Sequence, residues 1–248
     1  RNNPRLRIAD RDEFIKAKVE EHHYQPPYFR LMERLNLEGA NAAPRVMRPR
    51  LLGLEDLGES GADHLVDVRE PLAYAAGHMQ GAVCLPVGMI PAFAGWFISE
   101  GDTIALIASE EDELAQAMAH LVRIGLDNIV GGYVGVIPAA AQGKAMQSIA
   151  MIDTEEVARR LAEDSEDWTL LDVRALDERQ QGSIDGSEHV YVGELNTRWK
   201  ELDRDRHYTL MCASGMRASV AAGWLASQGF KHLDVYLGSM GAWANAQG

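Results

Sequence analysis

The sequence has few cysteines, no long hydrophobic run and little positive charge. Its 248 residues include only two cysteines, Cys84 and Cys212, too few for a disulfide framework or a four-thiolate zinc site within this chain. No apolar run approaches the ~20 residues that span a bilayer, and residues 1–5 lack the apolar core of a secretory signal. We therefore expect a reduced, cytoplasmic setting without a membrane partner.

The charge balance restricts the partners further. Lysine and arginine total 24 against 37 aspartate and glutamate residues, which gives a formal net charge of −13. Such a chain repels phosphate backbones, so we expect no nucleic-acid partner. The eight histidines are scattered along the sequence, and we expect no metal site among them. With 46% hydrophobic residues, the composition is that of a globular protein with about two domains.

An internal repeat organises the chain. Residues 65–69 and residues 170–174 each form an apolar run that ends in Asp-Val-Arg, and the two runs lie 105 positions apart. Short aliphatic runs alternate with longer amphipathic stretches in both copies, a pattern that predicts βα units and parallel sheets. The predicted fold class is α/β, with two tandem domains that each contain a parallel sheet flanked by helices.

The repeat also predicts the domain boundaries. We assign the first domain to residues 46–145 and the second to residues 146–248. Residues 1–45 lie outside the repeat and predict a short helical extension that ends in a proline-containing linker.

The most informative segment places Cys212 at the carboxyl end of a predicted strand and just before a helix predicted over residues 218–228. The loop between them contains, in order, Ala213, Ser214, Gly215, Met216 and Arg217. Ligands bind at this end of parallel strands. Backbone N–H groups of a loop that curls into a helix start form an anion-binding nest, and its positive field favours a nucleophilic thiolate at Cys212.

Two other residues are interpreted beside this loop. Arg217 adds a fixed positive charge and planar donors for an anionic substrate. Cys84 has no glycine loop and no following helix in the sequence, so we predict that it is a buried core residue.

The Cys-x-x-Gly-x-Arg loop, the Asp-Val-Arg strand ends and the duplicated α/β unit resemble tandem rhodaneses, which are thiosulfate sulfurtransferase-type enzymes. The resemblance covers residues 46–248 and implies no cofactor. It implies that Cys212 takes a sulfane sulfur from thiosulfate or a persulfide such as glutathione persulfide, and carries it as a cysteine persulfide. The acceptor would be a thiol or cyanide. The loop residues 213–217 would cradle the sulfur, and Arg217 would also orient the anion.

The same resemblance suggests roles for residues away from the loop. Asp172 and Arg174, at the end of the neighbouring strand, would brace the site through hydrogen bonds and an ion pair; the alternative is a purely structural salt bridge. The first copy has Ala108 at the position of Cys212 and Glu113 at that of Arg217. We therefore predict an inactive first domain that packs on the second domain, shapes its entrance or contacts a partner.

The amino-terminal stretch is similar to the tail that follows the metallo-β-lactamase-fold domain in fusions of persulfide dioxygenase with rhodanese. The residues that carry this likeness are residues 3–4, Phe14 and residues 26–36. It implies a longer parent chain with an upstream iron-dependent dioxygenase domain. The sequence contains no His-x-His-x-Asp-His cluster that could do that chemistry within residues 1–248.

Two alternatives to sulfur transfer are open. Cysteine phosphatases also place a thiolate and an arginine on a loop before a helix, but tyrosine phosphatases separate them by five residues, whereas four residues separate Cys212 from Arg217. A non-catalytic binding or regulatory module is the second alternative, in which the duplicated fold serves recognition alone.

Overall fold

The computed structural model describes residues 7–20, 23–40, 42, 45, 47–163 and 165–246. Residues 3–4, which carry part of the likeness to a metallo-β-lactamase tail, lie outside this set, as do residues 41, 43 and 44 of the predicted linker and residue 46 at the start of the predicted first domain. Within the described part of the chain, none of the helices has both the length and the apolar character of a membrane span.

The amino-terminal extension forms two helices, α1 (Arg11–Val19) and α2 (Tyr28–Glu38). Helix α1 begins after Asp10, whose carboxylate accepts a hydrogen bond from the backbone N–H of Glu13 at 2.8 Å. Helix α2 packs on the first domain, because Tyr28 lies over Gly95 so closely that a Cβ atom there would be 2.0 Å from its ring.

The first domain is built around a four-stranded parallel sheet in the order β3-β1-β4-β5. A short antiparallel pair, β2 with β6, closes one side. The strands are β1 (His64–Asp67), β2 (His78–Met79), β3 (Val83–Cys84), β4 (Ile104–Ala108), β5 (Ile129–Val134) and β6 (Met146–Gln147). The helices are α3 (Leu54–Glu59), α4 (Pro71–Ala76), α5 (Ile90–Phe97), α6 (Glu111–Arg123) and α7 (Val136–Ala141).

The second domain has a five-stranded parallel sheet in the order β7-β11-β10-β8-β9. Its strands are β7 (Ala150–Ile152), β8 (Trp168–Asp172), β9 (Glu188–His189), β10 (His207–Met211) and β11 (Leu233–Tyr236). Its helices are α8 (Thr154–Glu163), α9 (Leu176–Gln180), α10 (Leu195–Arg198), α11 (Met216–Ser227) and α12 (Ser239–Ala246). Strands β9, β8, β10 and β11 occupy the positions of β3, β1, β4 and β5, and β7 adds one edge strand. The predicted α/β class with two tandem parallel sheets is confirmed.

The two domains share one hydrophobic core. Buried residues from Leu52 in the first domain to Val235 in the second form a single contiguous cluster. The rings of Phe97 on α5 and Trp224 on α11 lie 4.7 Å apart between centroids. Cys84 is fully buried in this core, as predicted, and burial raises the pKa of its thiol well above the usual range. The first domain is therefore packed directly against the helix that follows the Cys212 loop.

Candidate active site

Cys212 follows the last residue of β10, a strand in the interior of the second sheet. Met211 at the end of β10 is in register with Asp172 at the end of β8, so the two predicted site segments meet at one edge of the sheet. Cys212 itself is only 1% exposed, while Ala213, Ser214 and Met216 around it are exposed. The thiol therefore lies at the bottom of a loop that opens to solvent.

The loop turns at Gly215 and directs its backbone at the thiol. Gly215 has φ of +107°, a left-handed conformation that favours glycine. Its N–H donates a hydrogen bond to Sγ of Cys212 over 3.1 Å. Helix α11 begins at Met216, so the positive end of its dipole also faces the sulfur. One N–H of the loop, that of Gly215, is therefore directed at the sulfur at the strand-to-helix turn.

Ser239, the first residue of α12, supports the loop from behind. The buried hydroxyl of Ser239 accepts a hydrogen bond from the N–H of Cys212 at 3.1 Å and donates one to the carbonyl of Tyr236 at 2.7 Å. The N–H of Met240 donates to the carbonyl of Cys212 at 3.0 Å. Ser239 has φ of +50°, an uncommon conformation for a residue other than glycine. Local sequence pattern gives no signal for this residue, because 27 positions separate it from Cys212.

The guanidinium group of Arg217 is paired with a carboxylate that the sequence analysis also missed. Its two terminal nitrogens donate to the carboxylate of Glu178 on α9 at 2.6 and 2.7 Å. This ion pair lowers the pKa of Glu178 and raises that of Arg217. Glu178 also accepts a hydrogen bond from the N–H of Ala175, at 3.1 Å. In the sequence, Glu178 is recognisable only as an acidic residue in the first turn of a short helix.

The predicted pair of Asp172 and Arg174 anchors helix α9. Arg174 makes a forked contact with the fully buried carboxylate of Asp172, at 3.0 and 2.7 Å. Its other bonds run to the carbonyl oxygens of Gly182, at 2.8 Å, and Glu178, at 3.4 Å. Arg174 thus holds the backbone of the residue whose side chain binds Arg217.

The same ion pair occurs in the first domain, where Ala108 lies at the position of Cys212. Asp67 and Arg69 form an equivalent forked contact, and Arg69 donates to the carbonyl of Gly77 at 2.8 Å. Both copies of the pair therefore contribute to the fold. In the second domain the pair of Asp172 and Arg174 additionally positions the helix of the Arg217 partner.

Three aromatic side chains from three parts of the chain meet around Tyr191, and we call Tyr24, Trp96 and Tyr191 the aromatic wall. Burial raises the pKa of Tyr191, and the positive charge of Arg217 acts against this shift. The ring of Tyr24 stacks on Tyr191 with centroids 3.8 Å apart, and Trp96 meets Tyr191 edge-on at 5.6 Å. The hydroxyl of Tyr24 accepts a hydrogen bond from the N–H of Leu176 on α9 at 3.3 Å.

The corresponding loop of the first domain has a different internal structure. Ala108 ends β4 and is fully buried, without a thiol. The N–H of Ser109 donates to the carboxylate of Glu113 at 2.7 Å. Glu113 occupies the position of Arg217, so a carboxylate of the chain itself binds the amide that would face an anion.

No group of three or more His, Cys, Asp or Glu side chains among the described residues is arranged to hold a metal ion.

Comparisons with known proteins agree with the duplication. The family model described as a rhodanese-like domain matches residues 53–138 and residues 153–246. A Bacillus subtilis protein, YtwF, named as a proposed sulfurtransferase, is 35% identical over 95 residues, which are 38% of this chain and 90% of that protein. A sulfurtransferase of Allochromatium vinosum is 34% identical over 93 residues, 38% of this chain and 86% of its own. A crystal structure of a rhodanese-related protein from Thermoplasma volcanium is 29% identical, with a TM-score of 0.35 over 39% of this chain and 91% of that chain.

Proposed function

This chain belongs to the rhodanese family, and from that premise we propose that it is a sulfurtransferase whose second domain transfers sulfur through Cys212. The observation that carries this proposal is the hydrogen bond from the N–H of Gly215 to Sγ of Cys212, at 3.1 Å. A sulfur atom at the start of a helix that accepts a backbone N–H is stabilised in its anionic form and faces the incoming donor.

In the first half of the reaction, the thiolate of Cys212 attacks the outer sulfur of a persulfide R–S–SH. The bond between the two donor sulfurs breaks, and the inner sulfur leaves as the thiolate R–S⁻. Cys212 then carries the transferred sulfur as Cys–S–SH. The same attack on thiosulfate would release sulfite. The charge and the electron pairs are conserved in both cases, and no redox cofactor is required.

In the second half, a thiolate or cyanide attacks the outer sulfur of the Cys212 persulfide. The sulfur–sulfur bond breaks towards the protein, and Cys212 is regenerated as a thiolate while the acceptor leaves as a persulfide or as thiocyanate. The loop residues Ala213, Ser214, Gly215 and Met216 hold the outer sulfur between the two steps. Their part is to orient the persulfide and to exclude competing contacts.

The first domain has a supporting role in this proposal. Ala108 supplies no nucleophile, and the carboxylate of Glu113 already accepts a hydrogen bond from the N–H of Ser109. The shared core and the aromatic wall instead connect this domain to the site in residues 146–248. The likeness of residues 26–36 to the tail of a persulfide dioxygenase domain stays a prediction, as does the cytoplasmic setting.

The decisive experiment compares wild-type protein with Cys212→Ser, and with Cys84→Ala as the control that removes the other thiol. Each is incubated with thiosulfate or glutathione persulfide, analysed by mass spectrometry, and then treated with cyanide. We expect an adduct of about 32 Da, one sulfur atom, and thiocyanate formation in wild type and Cys84→Ala only. If neither donor loads sulfur on the wild-type protein, the second domain is a recognition module instead.

A further inference from the structure

Glu178 neutralises the only guanidinium group of the Cys212 loop. The forked contact between Arg217 and Glu178 uses both terminal nitrogens of the arginine, and the side chains are 19% and 35% exposed. Planar, bidentate pairs of this kind are the strong form of the arginine–carboxylate contact. An anionic donor that used Arg217 would have to displace Glu178 or approach beside its negative charge.

Several contacts hold Glu178 in place against such displacement. Its carboxylate accepts the N–H of Ala175, and its carbonyl oxygen accepts a bond from Arg174. Arg174 is in turn fixed on the fully buried Asp172. A donor that displaced this carboxylate from Arg217 would have to break the two bonds from the guanidinium group at the start of α9.

The remaining charges near the entrance do not restore a positive field. The charged groups that act on Tyr24 in the aromatic wall are Glu194, Asp177 and Arg198. Arg198 is itself paired with the carboxylates of Glu194 and Glu201, at 3.3 and 2.9 Å. A dianion that approaches from this side meets more carboxylates than unpaired cations.

From these observations we propose that Glu178 selects the class of sulfur donor. The site takes organic persulfides, whose reacting sulfur carries at most one negative charge, and discriminates against compact dianions such as thiosulfate. This inference rests on the proposed sulfur transfer through Cys212. The aromatic wall offers the organic group of a persulfide an apolar surface, and thiosulfate has no group to place there.

The test uses two donors with wild type, Glu178→Gln and Asp177→Asn. The donors are thiosulfate and the persulfide of 2-mercaptoethanol, which has no other charged group, and cyanide is the common acceptor. Asp177 is exposed and lies next to Glu178 on α9, so Asp177→Asn makes the same change in charge without touching Arg217. The measured quantity is the ratio of kcat/KM for the two donors, at low and at moderate salt.

We expect wild type to prefer the persulfide by at least about tenfold, and Glu178→Gln to shift the ratio about tenfold towards thiosulfate, the equivalent of about 1.4 kcal/mol. Asp177→Asn removes one carboxylate near the entrance but leaves Arg217 paired with Glu178, so it should shift the ratio by no more than about twofold. The inference is overturned if wild type uses both donors equally, or if Asp177→Asn shifts the ratio as much as Glu178→Gln.

A second measurement uses the wild-type protein alone, so its result does not depend on whether the variants fold. Between about 20 and about 300 mM salt, kcat/KM for thiosulfate should rise, because salt screens repulsion between the dianion and the entrance. A fall with salt would mean that Arg217 attracts the dianion and would overturn the inference. Failure of both donors to load Cys212 would instead contradict the proposed function itself, so the two failures are distinguishable.

Discussion

Gly223 on α11 lies directly against Cys84 on β3, and this contact connects the first domain to the helix that follows the Cys212 loop. A Cβ atom on Gly223 would be 2.5 Å from the Cβ atom of Cys84, closer than any normal carbon contact. Helix α11 starts at Met216, next to the loop of Cys212. The position of the loop therefore depends on how closely this helix can approach the first domain.

Gly223→Ala should separate α11 from β3 and destabilise the protein by about 1–3 kcal/mol, the usual range for overpacking a core. Because the helix and the loop move together, sulfur loading on Cys212 should also slow. Urea unfolding and the rate of adduct formation measure the two effects. Gly88→Ala is the matched control, since a Cβ atom at Gly88 meets nothing within 4 Å. Equal stability of the two variants would contradict the packing argument.

Ser239→Ala should leave the buried N–H of Cys212 without its acceptor, at a cost of about 1–3 kcal/mol. Ser239 also has a left-handed backbone, with φ of +50°. Ser239→Gly loses the same hydroxyl but relieves this strain, so it should be less destabilised than Ser239→Ala, by about 1 kcal/mol. Unfolding in urea ranks the variants. If both are as stable as wild type, the hydroxyl does not support the loop.

The ion pair of Glu178 and Arg217 predicts a pH-dependent contribution to stability. The pKa of Glu178 is lowered in the folded protein, first by its hydrogen bond from Arg217. The stabilisation is therefore complete above the ordinary glutamate pKa of about 4.3 and is lost as the pH falls through the lower, folded value. Wild type should exceed Glu178→Gln in unfolding free energy by about 1 kcal/mol or less at neutral pH, for a partly exposed pair.

That difference should shrink towards zero as the pH falls below about 4, and urea unfolding at a series of pH values measures it. Asp177→Asn, which removes an exposed carboxylate of the same helix, should show a smaller difference at every pH. A gap between wild type and Glu178→Gln that is constant with pH would mean that the carboxylate charge contributes nothing.

The sequence predicted the features that depend on local pattern. Alternating apolar and amphipathic runs gave the strands, and the 105-residue offset between Asp67 and Asp172 predicted two similar sheets. The position of Cys212 at a strand end was a local feature as well. Helix α11 starts at Met216, two residues before the predicted start, because Gly215 turns into the helix without a polar cap.

The contacts that complete the site are not local, and periodicity does not encode them. Glu178 and Arg217 are 39 positions apart. Tyr24 belongs to an extension outside the repeat, and its contact with Tyr191 depends on how the extension folds over both domains. Such contacts depend on how the helices and strands pack together, so no single stretch of sequence predicts them.

Tyr24→Ala should weaken the use of persulfides by removing half of the stacked pair in the aromatic wall. We expect KM for the persulfide of 2-mercaptoethanol to rise several-fold, because the loss of an aromatic contact is worth about 0.5–1.5 kcal/mol. Tyr24→Phe keeps the ring and removes the hydroxyl that accepts the N–H of Leu176, so it should behave like wild type if the ring is what matters. An equal loss in both variants would assign the effect to the hydroxyl instead of the ring.

Ala108→Cys tests whether a thiol at the strand end is sufficient for sulfur transfer. In a Cys212→Ser background the new thiol would lie at the end of β4, at the position that corresponds to Cys212 just after β10. The neighbouring N–H of Ser109, however, already donates to Glu113. Glu111, at the position of Gly215, begins a helix and does not supply the left-handed turn. The new sulfur would have no counterpart of the Gly215 turn and would lie near carboxylates, which disfavour a thiolate.

We therefore expect no sulfur adduct on Ala108→Cys in that background with either thiosulfate or a persulfide, as measured by mass spectrometry, while Cys212 in the wild-type chain is loaded under the same conditions. Loading of the new cysteine would show that position at the end of a strand is enough. In that case neither the turn at Gly215 nor the N–H that it donates to Sγ of Cys212 would be the source of reactivity. The absence of an adduct would assign the reactivity to those loop amides, which only the second domain directs at a sulfur atom.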